Sequence, residues 1–217
     1  IKVKHLEPAA LPGYATTPST AYFVIDVVTF IKPFYESIMK QMKTHQKRNV
    51  KVYYKGKIFS LAEESTITKG KIEKIAIIQE NDVAVVLPLI GNEMTTLEER
   101  YRPVLQKRIY ELPAGHVEKG ETPAQAAKRE LKEELGYDAR SMKLMFKAYP
   151  QPGSITSIHY FYYAKCYKEG PRSEKDEDII AKKVKLSKAL EMIKVNKIID
   201  TKSIAAILYY VSFVKQK

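Results

Sequence analysis

The spacing of apolar and polar positions changes several times along the chain, and each change marks an element. Residues 1–20 carry Pro, Thr and Ala without a period and predict an extended arm. Residues 21–31 form a largely apolar run of eleven that contains Asp26. Strand and buried helix both accommodate that run, and it falls short of the ~20 residues that cross a bilayer. Pro33 suits the first position of a helix whose stripe is Phe34, Tyr35, Ile38, Met39 and Met42, ending near Thr44. The polar break at 45–48 predicts a boundary. From 49 onward the pattern turns to strands, over 51–59 (with Lys55-Gly56 as turn material), 72–79, 83–90, 107–112, 141–149, 157–167 and 179–186. Helices are predicted over 122–135, 187–195 and 201–214. This order predicts an α/β class, a mixed sheet with helices on its faces. Three segments follow: an N-terminal extension at 1–48 (arm plus helix), a small β subdomain at 49–80, and a main domain at 81–217. Met42 also reads as a possible start, which would make 1–41 an addition to a core that folds without it.

Composition narrows the class. The chain has 217 residues, 45% of them apolar and 10% aromatic, enough for a sizeable core and too many for a disordered chain. Its one cysteine, Cys166, excludes an internal disulfide framework, so a reducing, cytoplasmic setting is expected. The early apolar run lies too far from the N-terminus to resemble a secretory leader.

Charge is distributed unevenly. The net charge is +12, which invites a nucleic-acid or anionic-surface reading. Residues 1–60 carry 10 basic and 3 acidic side chains, a net of +7. Residues 61–137 carry 11 and 14, a net of −3, and residues 138–217 carry 16 and 8, a net of +8. A carboxylate cluster inside a basic protein repels itself unless a cation offsets it, and a divalent metal is one such cation. A solvated acidic helix face is the competing explanation.

The segment 115–137, GHVEKGETPAQAAKRELKEELGY, decides between them. Thr122 is a good N-cap, Pro123 suits the first helical position, Gln125 completes a capping box, and Gly136 suits the residue that ends the helix. On that helix Glu130 and Glu134 share a face at i and i+4, with Glu133 beside them and Arg129 four residues before Glu133. Oxygen ligands at this density suit Mg²⁺ or Mn²⁺ over a diphosphate. On the helix alone a Lys/Glu-laced surface accounts for the acids equally well.

The full spacing goes further. Gly115, five residues, Glu121, seven residues, then Arg129-Glu130-Leu131-x-Glu133-Glu134-x-Gly136 resembles the Nudix box at each defined position, with Tyr137 where an aliphatic residue is usual. The resemblance implies the Nudix α/β/α sandwich and a pyrophosphohydrolase. It implies that Glu130 and Glu134 bind metal, that Glu133 is a further ligand or electrostatic partner, that Arg129 orients the carboxylates, and that Glu121 and Gly115 are supporting.

The likeness extends over roughly 50–215 and is nearest to the ADP-ribose pyrophosphatases. Arg100-Tyr101-Arg102-Pro103 and Glu111-Leu112-Pro113-Ala114-Gly115 resemble that subfamily's approach to the box, which implies the Ala114 carbonyl as a metal ligand and Arg102 as a substrate contact. Pro152, 15 residues past the box, matches the subfamily's ADP-ribose marker, and Ser154 stands where dinucleotide hydrolases place Tyr. The resemblance also implies a homodimer formed through the small β subdomain. Two departures stand out. No Glu follows Pro152-Gly153 within Ser154-Ile155-Thr156-Ser157, and the loop position expected to carry the general base aligns with Lys175. Glu174 and Glu177 beside it are the candidate bases, and a solvated acidic turn is the alternative for each.

The remaining residues read as structural. His116 sits in the box's variable loop, His159 opens an aromatic strand, and the four histidines and one cysteine show no zinc spacing. Tyr160 to Tyr163 fit core packing better than a stacking face for adenine. The expected reaction is metal-dependent hydrolysis of ADP-ribose to AMP and ribose 5-phosphate. Broader nucleoside-diphosphate-sugar or dinucleotide hydrolysis is the alternative. An RNA-binding module on the same scaffold is the rival from another class.

Overall fold

A computed structural model describes residues 49–168, 170–172 and 178–215. The strand or helix read within 21–44 lies outside them, as do Glu174 and Glu177.

Two sheets are present among the described residues. The smaller is an antiparallel meander of β1 (Asn49–Lys55), β2 (Phe59–Thr68) and β3 (Lys71–Glu80). Lys69 and Gly70 close β2 onto β3 with φ of 51° and 77°. Two left-handed residues make the turn whose twist matches paired strands. The larger sheet contains β4 (Val83–Ile90), β5 (Met94–Arg102), β6 (Lys107–Glu111), β7 (Ala114–His116), β8 (Tyr137–Ala148), β9 (His159–Lys168) and β10 (Ile179–Lys185). Its order is β10-β5-β4-β9-β8, with β6 added to β5 and β7 to β4. Only the β4–β9 pair is parallel among these pairings, so the sheet is mixed.

Helices cover both faces. Val83, Val85, Leu87 and Leu89 of β4 pack with Phe161 against α2 (Leu186–Lys194) and α3 (Thr201–Tyr209). Ala84 and Val86 pack against Ala127, Leu131 and Leu135 of α1 (Pro123–Leu135). A strand buried on both faces reads as one continuous apolar run, which is why β4 is so plain in the sequence. The α/β/α sandwich is the expected one.

Some elements differ from expectation. β2 and β5 were not foreseen, and β8 begins at Tyr137 rather than at 141. β5 reads as polar because Thr95, Thr96, Glu98 and Arg100 are all buried side chains. The helix expected over 201–214 is α-helical only to Tyr209. Residues Tyr210–Val214 widen to a π turn, closed by the Lys215 N–H donating to the Tyr210 carbonyl at 2.9 Å. Tyr210 is buried there, with its ring 5.4 Å from that of Tyr163.

Candidate active site

The caps of α1 form as the sequence predicts. Thr122 accepts from the Gln125 N–H, the Gln125 side chain accepts from the Thr122 N–H at 2.8 Å, and Gly136 ends the helix at φ 65°. The caps fix the ends of the helix, and packing of Ala126, Ala127, Leu131 and Leu135 turns Glu130 and Glu134 to its buried face. Burying two carboxylates raises the energy of their charged forms. Burial first, and the neighbouring Glu134 second, push the Glu130 pKa up to about 7 against the pull of Arg129. Glu134 is also raised by burial, and the Arg100 guanidinium opposes that shift.

Arg129 joins the box into one unit. Its Nη1 donates to Glu130 Oε1 at 2.6 Å and to Glu133 Oε2 at 3.0 Å. Its Nε donates to Glu121 Oε1 at 3.1 Å, and Nη2 donates to the His116 carbonyl at 2.9 Å. Glu121 Oε2 in turn accepts from the Glu118 N–H at 3.0 Å. One guanidinium thus holds two box carboxylates, the loop acid Glu121 and the end of β7. A Cβ on Gly115 would collide with the Glu130 carboxylate and push it aside.

Beneath the box, Arg100 Nη2 donates to Glu134 Oε1 at 2.5 Å, and the Ala114 N–H donates to Glu134 Oε2 at 3.2 Å. Glu98 is wholly buried, with its Oε2 4.0 Å from Arg100 Nε. Burial, and after it the Glu134 charge, hold the Glu98 carboxyl well above the usual carboxylate range. Arg102 makes a two-pronged pair with Glu111, both bonds at 2.6 Å. The segment between Glu111 and Ala114 is moored to α3, since the Leu112 N–H donates to Ser203 Oγ at 2.8 Å. Ser203 is held by the helix N-cap, Asp200, which accepts from its N–H at 2.9 Å and its Oγ at 2.6 Å.

These groups surround a cavity of about 540 Å³. Ala114, Gly115, Arg129, Glu130, Glu133 and Glu134 line one part of it. Arg100, Arg102 and Lys202 line it too, as do Ile58, Glu80, Val83, His116, Glu118 and His159. The sequence marks Arg102 and the box residues, and the fold brings them together. It brings in Arg100, Lys202, Glu80 and both histidines as well, which sequence reading assigned no role. His159 is packed as expected, at 8% exposure, and it also borders the cavity. Pro152 stands apart, lining a smaller cavity with Thr66, Ile75 and Ile77. The segment bearing Glu174 and Glu177 is flanked by anchored residues. Arg172 donates to the Ile179 carbonyl at 2.7 Å, and Asp178 pairs with Arg108.

Among the described residues no three His, Cys, Asp or Glu side chains form a ready-made metal cage. The carboxylates of the box are paired with Arg129 and Arg100 instead. The side chains of Glu130, Glu133 and Glu134 nevertheless suit a hard divalent cation, because they offer oxygen donors at the cavity that Ala114 also lines. The gap left by the missing Gly115 side chain is filled by Glu130, which brings that carboxylate against the main chain beside Ala114.

Known proteins resemble this chain in sequence and in fold. The NUDIX domain family matches residues 81–202. A methanol dehydrogenase activator from Bacillus methanolicus is 30% identical over 174 residues, covering 78% of this chain and 91% of the relative. An ADP-ribose pyrophosphatase from Bacillus subtilis (strain 168) is 30% identical over 160 residues, covering 72% and 86%. A solved structure described as an ADP compounds hydrolase superposes with a TM-score of 0.68 over 77% of this chain and 92% of its own, at 18% identity, a likeness of fold. The helix that the caps fix, the arginine-held glutamates and the family match converge on one statement: the chain belongs to the Nudix family and is a Nudix pyrophosphohydrolase.

Proposed function

We propose that the chain hydrolyses the diphosphate of ADP-ribose, giving AMP and ribose 5-phosphate, with Mg²⁺ or Mn²⁺ as cofactor. The observation that carries this reading is the placement of Glu130 and Glu134 on the buried face of α1, at a cavity that also receives Ala114. The relative named for ADP-ribose, 30% identical, supports the substrate. The Ala114 carbonyl, Glu130, Glu133 and Glu134 would hold the metal. When bound, such an ion neutralises diphosphate charge and lowers the pKa of a water.

The chain's own groups supply the rest. Arg129 sets the directions of Glu130 and Glu133. Arg102 and Lys202 place positive charge where the diphosphate would lie, each steadied by an acid, Glu111 for Arg102 and Asp200 for Lys202 at 2.7 Å. Glu174 or Glu177 accepts a proton from the attacking water in this reading. Pro152 enters it as a spacing mark, since it lines another cavity. A homodimer belongs to the same reading. Tyr54, Leu61, Ile67 and Ile72 are exposed, and strand register puts them on one face of the small sheet, a surface for a second copy to cover. Among the described residues no helix is long and apolar enough to cross a membrane.

The test is magnesium-dependent release of AMP and ribose 5-phosphate from ADP-ribose, each product read separately. Both products in equal amount are expected. No release, with salt-sensitive RNA binding, overturns the reading in favour of a binding module.

A further inference from the structure

The cavity is chemically asymmetric. Its box glutamates present oxygen donors, and Arg100, Arg102 and Lys202 present positive charge. It also presents an acid, Glu80, at the end of β3. Ser157, wholly buried, donates through Oγ to Glu80 Oε1 at 2.6 Å. The second oxygen, Oε2, lies 4.0 Å from His116 Nε2. The residues after Pro152-Gly153 contain no acid, so the carboxylate beside Ser157 comes from another strand.

The surroundings hold Glu80 in place. Asp82 accepts from the Ile158 N–H at 2.9 Å through its side chain and from the Val117 N–H at 2.7 Å through its carbonyl. The Val83 N–H donates to the Ile158 carbonyl at 3.0 Å. In strand register Val83 lies opposite His116 on one side and His159 on the other. The three side chains therefore form one row on one face, with Glu80 beside it.

A carboxylate at this end repels a phosphate and accepts hydrogen bonds from hydroxyl groups. Burial and the charge of Lys202 lower the His159 pKa, so its ring is neutral at pH 7. A neutral imidazole offers one donor and one acceptor, which matches a hydroxyl and suits a phosphate dianion poorly.

We infer that Glu80, fixed by Ser157 and flanked by His159, binds the hydroxyl groups of the sugar beyond the second phosphate and selects nucleoside diphosphates that carry a polyol. The inference rests on the diphosphate-hydrolase reading above. It also sets the direction of the substrate, with phosphates toward the box and arginines and the terminal sugar toward β3.

Two substrates test it with the full chain: ADP-ribose, and the β-methyl ester of ADP, which has no hydroxyl beyond its second phosphate. In Glu80→Gln the ratio of kcat/KM on ADP-ribose to that on the methyl ester falls by about 10-fold or more, the loss of a charge-assisted hydrogen bond. Ser157→Ala lowers the ratio in the same direction by less, because Glu80 is freed rather than removed. Glu80→Asp lies between wild type and Glu80→Gln. A ratio unmoved in both Glu80→Gln and Glu80→Ala, with wild type cleaving both substrates, overturns this inference alone. A wild type that cleaves neither overturns the diphosphate-hydrolase reading and this inference with it.

Discussion

Arg100 Nη2 donates to Glu134 Oε1 at 2.5 Å in a pair that is buried on both sides. Arg100→Met strips Glu134 of its guanidinium and leaves its charge unpaired inside the protein. We expect a loss of roughly 3–5 kcal/mol in urea unfolding, seen as a lower midpoint at unchanged slope. Glu98→Gln is expected to cost less than about 1 kcal/mol, because burial and Glu134 already favour the protonated, amide-like form of Glu98. Equal losses in the two variants would show that Glu98 carries its charge.

The same pair separates two substitutions that look alike in the sequence. Glu130→Gln and Glu134→Gln should each lower turnover by about 100-fold or more if both carboxylates serve the metal. Only Glu134→Gln should also lower the melting temperature, since it deprives buried Arg100 of an ionised partner. AMP release and thermal melting on the same preparations decide. A Glu130→Gln enzyme with wild-type turnover removes Glu130 from the metal site.

Gly115→Ala would force the Glu130 carboxylate out of its place against the main chain. The colliding atoms end a side chain, so the fold can give way there at small cost. Turnover is expected to fall about 100-fold, the scale of an ångström-sized displacement, with little change in melting temperature. Unfolding without the activity loss at permissive temperature would point to backbone strain instead.

Asp200 gives a pH dependence with a definite sign. Burial raises its pKa, but Lys202 and the Ser203 hydrogen bonds outweigh it, and the net shift is downward. A depressed folded pKa contributes stability above the unfolded value of about 3.9, and that contribution disappears as pH falls through the folded pKa. Asp200→Ala should therefore cost about 1–2 kcal/mol at pH 7, the scale of a lost N-cap. The gap from wild type should narrow as pH falls below the unfolded value and through the lower folded one. A gap that widens on acidification contradicts the assignment.

The box helix was legible because its signals are local. Thr122, Pro123, Gln125 and Gly136 fix its ends, and the spacing of Ala127, Leu131 and Leu135 fixes the face that Glu130 and Glu134 share. β4 was legible because burial on both faces leaves an unbroken apolar run. β5 was hidden because its inward positions are Thr95, Thr96, Glu98 and Arg100, whose burial depends on partners 34 or more residues away, as in Arg100–Glu134 and Thr96–Tyr137. The role of Glu80 was equally invisible. It depends on Ser157, 77 residues on, and on the register that sets His116 and His159 either side of Val83. Spacing within one helix can be read from sequence, whereas a charge matched across strands shows only once the strands are placed.

The bond between the Leu112 N–H and Ser203 has a bearing on the order in which the chain is made. Every residue of the box has been synthesised by Tyr137, and the glutamates can then align on their helix. The approach to Ala114 is held by β4 through the Val86 N–H and the Pro113 carbonyl at 2.9 Å, but its anchor on the other side waits for α3, because that anchor is Ser203 and the cap that steadies it is Asp200. A growing chain halted before that point would hold the whole motif and lack a finished site. The motif and the residue that braces its approach are thus far apart in the chain, and removing α3 is expected to lower AMP release with every residue of the box still present.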